Sequence, residues 1–225
     1  MVRSIHLIIV AVLVGLVSPA QPIDTLTKPH YRISTGLIAP ASLMLSGIML
    51  NGNGDESLKM EIAEERDEKL PSFRTRIDNY LQISPIAIAY GLDAAGIKSR
   101  NDLANRTAIL LKGEVLTLAT AFALKKNLHQ IRPDGSDHFS FPSGHTAQAF
   151  AAATFLSEEY KHRFHWMPYA AYGIAGSVGV LRMANNKHYI SDVLFGAGLG
   201  LLSMKISYWT HQYRWGKVHH ELVVY

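Results

Sequence analysis

The fold is decided by residues 172–209, which read YGIAGSVGVLRMANNKHYISDVLFGAGLGLLSMKISYW. The stretch joins two apolar segments, 166–184 and 188–210, through a short polar turn. Gly, Ala and Ser recur in both segments, and Gly196 and Gly200 lie four residues apart. Small residues at this spacing share one helix face and let two helices approach closely. The stretch therefore predicts two helices that pack tightly in a bundle.

Three further apolar segments of helical character precede this stretch, at about 80–97, 103–124 and 145–160. An apolar stretch at 35–50 is interrupted by Pro40. No alternation of apolar and polar residues persists long enough to indicate a β-sheet. We predict an all-α, membrane-type helical bundle of five or six core helices, with the active site at one end.

Residues 51–79 differ sharply from the apolar segments around them. Turn residues at 51–54 precede a highly charged stretch at 55–68. Such a stretch is most simply a solvated helix, and a lid over the active site is the alternative.

The composition narrows the class of protein. Hydrophobic residues make up 48% of the 225 residues and charged residues 18%, which is more apolar than an ordinary soluble enzyme. The mean hydropathy of +0.07 is nevertheless low for a chain that lies mostly in lipid, so a soluble or peripheral bundle stays open. The absence of cysteine excludes disulfides, thiolate catalysis and Cys-based zinc sites. Basic and aromatic residues are not interleaved, so no nucleic-acid partner is expected.

The N-terminus has the pattern of an export signal. Arg3 precedes an apolar run at 5–17, and the small residues at 18–20 would suit a signal peptidase. We predict that residues 1–20 are a signal peptide or an N-terminal anchor, and that residues 21–225 form a single domain.

The basic loops suggest an orientation. They alternate along the chain and contain Lys98 and Arg100, Lys161 and Arg163, and Arg214 and Lys217. The positive-inside rule places them in the cytoplasm, so the loops at 125–144 and 184–188 would face outward. Five crossings from residue 80 onward, with 35–50 not spanning, would satisfy this arrangement after a cleaved signal.

Three clusters of reactive side chains lie at the ends of predicted helices. They are Lys125 with Arg132 and Pro133, then Pro142-Ser143-Gly144-His145, and finally Arg182 with His188 and Asp192.

The third cluster suits nucleophilic catalysis. His188 and Asp192 are four residues apart and would share a helix face. A carboxylate there can accept the N–H of one imidazole nitrogen, which leaves the other nitrogen free as a nucleophile.

The second cluster suits an anion. Ser143 and Gly144 would begin a helix, whose unpaired N–H groups and positive dipole end favour phosphate. His145 would then be placed to protonate a leaving oxygen as a general acid.

Three cations complete the pattern: Lys125, Arg132 and Arg182. Phosphoryl transfer depends above all on stabilising charge on the phosphate oxygens, and arginine grips two of them at once. Together with a helix N-terminus these side chains can replace a metal ion, so we expect no metal and no other cofactor.

The clusters resemble the three-part signature of the type 2 phosphatidic acid phosphatase superfamily, which also contains bacterial acid phosphatases and vanadium haloperoxidases. The pattern is matched in order and spacing at Lys125, Arg132, Pro133, Pro142, Ser143, Gly144, His145, Arg182, His188 and Asp192. The family usually has Ser before the arginine of the third cluster, where this chain has Leu181. We expect that difference to remove a hydrogen bond and leave the reaction intact.

The resemblance implies a role for each residue. The catalytic residues would be His188 as nucleophile, Asp192 as its orienting carboxylate and His145 as the acid, and the phosphate-binding residues would be Lys125, Arg132, Ser143, Gly144 and Arg182. The implied function is metal-independent hydrolysis of a phosphomonoester or pyrophosphate, favouring a lipid substrate, through a phosphohistidine. The enzyme would sit in the membrane of the cell envelope with its active site facing the periplasm or exterior. The alternatives are a periplasmic acid phosphatase for soluble esters, a vanadate-dependent haloperoxidase and a non-catalytic envelope protein.

Overall fold

The computed structural model describes residues 33–52, 54 and 57–211, and every regular element in these residues is an α-helix. The helices are α1 (Ile33–Met49), α2 (Leu58–Lys69), α3 (Ile77–Leu81), α4 (Ser84–Ala94), α5 (Leu103–Leu128), α6 (Gly144–Tyr160), α7 (Met167–Ala184) and α8 (Ile190–Trp209). The prediction of an all-α bundle with five or six core helices is confirmed. The predicted signal or anchor at 1–20 lies outside the described residues.

Helices α6 and α8 form the centre of the bundle and touch backbone to backbone. A Cβ on Gly196 would lie 2.6 Å from the carbonyl oxygen of Ser143, and one on Gly200 would collide with the carbonyl oxygen of Ala147. No side chain larger than hydrogen fits at these two positions without moving a helix. The close approach that the glycine spacing predicted is therefore present.

Helix α1 packs along α8 by a similar contact. A Cβ on Gly198 would lie 2.6 Å from the carbonyl oxygen of Pro40, and one on Gly47 would lie 2.7 Å from the amide nitrogen of Phe195. The stretch at 35–50 is thus one helix with Pro40 inside it. That this stretch does not span a membrane stays a prediction.

The prediction of one helix over 80–97 is wrong. Helix α3 ends at Leu81, and α4 begins at Ser84 with Pro85 in its first turn. Proline has no N–H to donate to the carbonyl of Leu81, and the Ser84 hydroxyl donates to that oxygen instead at 3.0 Å. Because α4 has 11 residues, it rises only about 16 Å, which is short of the roughly 30 Å of a hydrocarbon core.

Two of the described helices, α5 and α8, are long and apolar enough to cross a membrane, judged by length and composition alone. Their most apolar windows have similar mean hydropathy, 1.5 for α5 and 1.3 for α8. Their surroundings differ, because 28% of the α5 window is buried in the bundle and 72% of the α8 window. Helix α8 is therefore a core helix, and α5 presents much of its apolar surface outward.

Helix α2 is the charged helix expected in the 55–68 stretch. Its acidic side chains, among them Glu61, Glu64 and Glu68, are exposed, which confirms a solvated helix. On the opposite side Arg66 donates to the carbonyl oxygen of Ala184 at 3.0 Å and 2.8 Å. This contact fixes α2 beside the turn that leads from α7 to His188.

Candidate active site

The three predicted clusters meet at one end of the bundle. Lys125 lies in the last turn of α5 and Arg182 in the last turn of α7, whereas Ser143 caps the start of α6. The amide of Ser143 donates to the carbonyl oxygen of Asp192 at 3.0 Å, which joins the start of α6 to the start of α8. His145, two residues after Ser143, and His188, four residues before Asp192, are thus held at the same end.

His188 is oriented from both ring nitrogens. It is 3% exposed, its Nδ1 lies 3.4 Å from Oδ2 of Asp192, and its Nε2 lies 3.3 Å from Nη1 of Arg132. A carboxylate at Nδ1 favours the tautomer with the proton on that nitrogen, so Nε2 carries a lone pair. This arrangement is what nucleophilic attack through Nε2 requires.

The two residues come together by a different route from the one predicted. Helix α8 begins at Ile190 rather than at 188, so His188 and Asp192 do not lie on one helix face. Instead Oδ2 of Asp192 accepts the amide of Tyr189 at 3.0 Å, in a capping box that turns His188 back over the helix start. The prediction of a helical pair is wrong in its geometry, although the contact itself is present.

Asp192 is fully buried and surrounded by hydrogen-bond donors. Its Oδ2 also accepts from the hydroxyl of Ser140, and its Oδ1 accepts from Gln130 at 3.4 Å and from the hydroxyl of Ser191 at 3.3 Å. These hydrogen bonds hold the carboxylate of Asp192 in one orientation behind His188.

The two imidazoles share a low affinity for protons. Burial lowers the pKa of His188 to about 4 although Asp192 acts to raise it, and the cations Lys125 and Arg182 add to the lowering. Burial and the neighbouring guanidinium of Arg182 likewise lower the pKa of His145 to about 4. At neutral pH both rings are therefore uncharged.

His145 lies in the first turn of α6, and its Nε2 is 2.8 Å from the side-chain oxygen of Asn79. A bound phosphate dianion would offset the cations Arg182, Arg132 and Lys125, which lower the pKa of His145. Substrate binding would thereby favour the protonated, acidic form of this ring.

The predicted cations differ in their partners. Lys125 donates to the backbone carbonyl oxygens of Phe139 and Ser140. Arg132 donates from Nε to Asp137 at 2.7 Å and from Nη1 to the carbonyl oxygen of Lys187 at 3.1 Å.

Arg182 donates from Nη1 to Asp78 at 2.7 Å, and its buried Nε has no hydrogen-bond partner. A buried donor without a partner is unfavourable, and an anion bound beside it would satisfy it.

Ser143 and Gly144 begin α6 as predicted. The hydroxyl of Ser143 is fully buried, accepts the amide of Thr146 at 3.4 Å and lies 2.9 Å from the hydroxyl of that residue. Its side chain thus acts as the N-cap of α6. Contact of Ser143 and Gly144 with phosphate stays a prediction.

Sequence reasoning missed four side chains of this region: Asp78, Asn79, Gln130 and Ser140. Gln130 and Ser140 lie close to the predicted clusters in sequence, so proximity was a usable signal. Asp78 and Asn79 lie far away in sequence, and no local pattern marks them. Within the described residues no three His, Asp or Glu side chains are grouped to hold a metal ion.

Residues 107–216 match the family model of the PAP2 superfamily. The chain is 35% identical, over 167 residues, to a lipid A 1-phosphatase from Porphyromonas gingivalis. That alignment covers 74% of this chain but 37% of the relative, so the chain spans little more than a third of that protein's length.

Two solved structures are similar. One is LpxE of Aquifex aeolicus, with 22% identity, a TM-score of 0.48 and coverage of 64% of this chain and 93% of that one. The other is a transmembrane PAP2-type phosphatidylglycerolphosphate phosphatase of Bacillus subtilis, with 24% identity, a TM-score of 0.46 and coverage of 76% and 94%.

Proposed function

This chain belongs to the PAP2 superfamily through residues 107–216, and we propose that it is a phosphatase that hydrolyses the phosphate of a lipid through a phosphorylated His188. One observation carries the proposal. His188 is held with Nδ1 toward Asp192 and Nε2 toward Arg132, at the bundle end where the N-terminus of α6 and two further cations meet.

In the first step Nε2 of His188 attacks the phosphorus atom, and the bond from phosphorus to the leaving oxygen breaks. Protonated His145 gives its proton to that oxygen, so the alcohol or phosphate product departs neutralised. Asp192 stabilises the positive imidazole ring of the phosphohistidine. Arg132, Arg182 and Lys125 stabilise the charge on the three remaining phosphate oxygens.

In the second step a water molecule attacks phosphorus and the bond from Nε2 to phosphorus breaks. His145, now neutral, accepts a proton from the water, and inorganic phosphate leaves. The cycle returns both rings to their starting states without a metal ion in any step.

A lipid substrate is supported by the outer surface of α5. Leu111, Val115, Leu118 and Phe122 are spaced three or four residues apart, so they line one face, and they are 60%, 65%, 52% and 60% exposed. Contiguous apolar surface of this kind marks contact with a membrane or a partner. We propose that α5 contacts lipid in the membrane of the cell envelope, with its C-terminal end, beside the active site, near the headgroups.

The proposed orientation follows from the two ends of the bundle. The loops with Lys98 and Arg100 and with Lys161 and Arg163 lie at the end away from His188. Basic loops favour the cytoplasmic side. The active site would then face the periplasm or the exterior.

The named relative suggests the first substrate to test. The Porphyromonas gingivalis relative is a lipid A 1-phosphatase, and we propose a lipid A phosphate as the preferred substrate of this chain as well. Phosphatidate, phosphatidylglycerol phosphate and a polyprenyl pyrophosphate complete the lipid panel, and p-nitrophenyl phosphate represents soluble esters.

The test is phosphate release from this panel in detergent with EDTA. We expect wild-type turnover of at least one lipid, loss of turnover by more than about 10³-fold in His188→Ala, and unchanged turnover in His165→Ala. His165 is an exposed histidine in the loop between α6 and α7 and serves as the matched control. Turnover of p-nitrophenyl phosphate alone would refute the lipid assignment, and an active His188→Ala would refute the nucleophile.

A further inference from the structure

A segment outside the matched family region passes over the active-site end. We call residues 66–81 the strap. Three contacts fasten it to the end of α7 and the turn that follows. They are the bond from Arg66 to Ala184 described above, a pair of hydrogen bonds between Thr75 and Asn185 at 2.8 Å and 3.0 Å, and a bond from the side-chain Nδ2 of Asn186 to the carboxylate of Asp67 at 3.0 Å. The strap is therefore fixed to the turn that leads into His188.

The strap brings two side chains into the site through α3. Asp78 is 1% exposed and accepts from Arg182, and the adjacent Asn79 presents its side-chain oxygen to Nε2 of His145 at 2.8 Å. These contacts cross 104 and 66 residues of sequence. The partners of Asp78 and Asn79, Arg182 and His145, both belong to the predicted catalytic and phosphate-binding set.

We propose that Asn79 is a positioning residue for His145, one that holds the ring and its proton in place for both steps of the reaction. The inference rests on the proposed phosphatase function. It adds a residue that lies before the matched family region and outside all three sequence clusters.

The chemistry follows from which nitrogen Asn79 engages. A side-chain oxygen can only accept, so Nε2 of His145 carries hydrogen and donates. Nδ1 is then the nitrogen that is left for the leaving oxygen and the water. Because Nε2 keeps its hydrogen in both the neutral and the charged ring, the bond to Asn79 persists while Nδ1 gains and loses a proton.

A neutral amide suits this position better than a carboxylate would. The charged groups facing His145 are Arg182 from α7, Lys125 from α5, Arg132 from the loop after α5 and Asp78 from α3. Three of these four are cations that favour the neutral ring. A carboxylate in place of Asn79 would favour the charged ring and hinder its action as a base in the second step.

The fold does not depend on the side chain of Asn79. The residue is exposed, and α3 is held by the buried ion pair of Asp78 with Arg182 and by the bonds between Thr75 and Asn185. Replacement of Asn79 should therefore leave the strap in place, so a change in activity reports on His145.

The experiment compares Asn79→Ala, Asn79→Asp and the control Asn127→Ala, using the panel substrate that the wild type turns over fastest. Asn127 is an exposed amide that donates to the carbonyl oxygen of Ala123 in its own helix. We expect Asn79→Ala to lower kcat by about tenfold, the loss of one hydrogen bond of roughly 1 kcal/mol, with KM within about twofold. Asn127→Ala should match the wild type.

The pH profile of kcat distinguishes a positioning role of Asn79 from a purely structural one. Asn79→Asp should keep the contact, recover part of kcat, and move the basic limb of the kcat profile to higher pH, because the carboxylate raises the pKa of His145. Unchanged kcat in Asn79→Ala, or identical pH profiles for Asn79→Asp and the wild type, would overturn the inference. A wild type without turnover, or an active His188→Ala, would instead overturn the proposed function.

Discussion

Both ends of the bundle bury charged side chains, yet they partner them differently. At the end away from His188, cations meet carboxylates: Glu158 contacts Arg100 at 3.2 Å and Lys161 at 2.7 Å. The fully buried Glu159 accepts from Asn101 at 2.7 Å and from the hydroxyl of Tyr208 at 2.7 Å. Both carboxylates thus have their partners within the fold.

At the active-site end Arg132 and Arg182 also meet carboxylates, Asp137 and Asp78, at 2.7 Å each, and the difference lies in Lys125. Lys125 contacts backbone carbonyls rather than a carboxylate, whereas a buried Nε without a hydrogen-bond partner occurs at both ends, in Arg182 here and in Arg106 at the far end. The two ends are roughly 28 Å apart along α5, the rise of the helix from residue 106 to 125. The difference indicates that the ammonium of Lys125 remains available to an anionic ligand, whereas Glu158 and Glu159 at the far end are paired within the fold.

The sharpest test of this difference is Asp192→Asn. The substitution keeps the volume and most hydrogen bonds but removes the negative charge behind His188, so we expect kcat to fall about 10³-fold. The matched change at the far end is Asp93→Asn, which weakens the ion pair with Arg106 and should leave kcat within about twofold. Steady-state turnover in detergent measures both, and equal losses would contradict the assignment.

The next largest effect is expected for Lys125→Met. The change removes one charge from the phosphate site, and we expect kcat/KM to fall by about 10²-fold, the usual scale for one donor to a transition state. Lys126→Met is the control, because Lys126 is exposed and lies over the ring of Phe122. A Lys125→Met enzyme as active as the control would show that this ammonium does not bind phosphate.

At the far end Glu159→Gln should lower stability and leave turnover unchanged, the reverse of what we expect at the active-site end. The new NH₂ group faces donors from Asn101 or Tyr208, and we expect the free energy of unfolding to fall by about 2 kcal/mol. Turnover per folded molecule should stay within about twofold of the wild type. Urea unfolding in detergent measures stability, and a loss of turnover without a loss of stability would break the comparison.

The smallest effect concerns pH. The pKa of His188 is about 4 in the folded chain, against about 6.5 when unfolded, so between these values the unfolded chain binds a proton that the folded chain does not. The free energy of unfolding should therefore fall as pH decreases from 6.5 toward 4. In His188→Asn this fall should be shallower by about 1 kcal/mol per pH unit. Unfolding at pH 6.5, 5.5 and 4.5 tests it, and equal slopes would refute the shifted pKa.

The sequence predicted the helices from 103 onward closely, because long apolar segments with small residues leave little choice of secondary structure. It also predicted that Lys125, His145 and His188 lie at helix ends. The break at Leu81 was missed although Pro85 signals it, since the apolar run continues through both helices. The pairing of His188 with Asp192 was predicted on a helix face, and a capping box provides it instead.

Asp78 and Asn79 show where sequence reasoning stops. Their partners Arg182 and His145 are reached only because the strap follows the turn at Asn185, and that course depends on tertiary contacts with no local pattern. Side chains supplied by a distant exposed segment need coordinates to be found.

The glycine contact between α6 and α8 has a mechanical consequence. Helices that meet through side chains can slide by exchanging rotamers, whereas bare main chains in contact have no such freedom. His145 lies at the start of α6 and His188 just before α8. The distance between the two rings therefore depends on how closely the two main chains approach at Gly196 and Gly200. The distance between the two imidazoles is therefore fixed by main-chain contact rather than by side chains that can change rotamer.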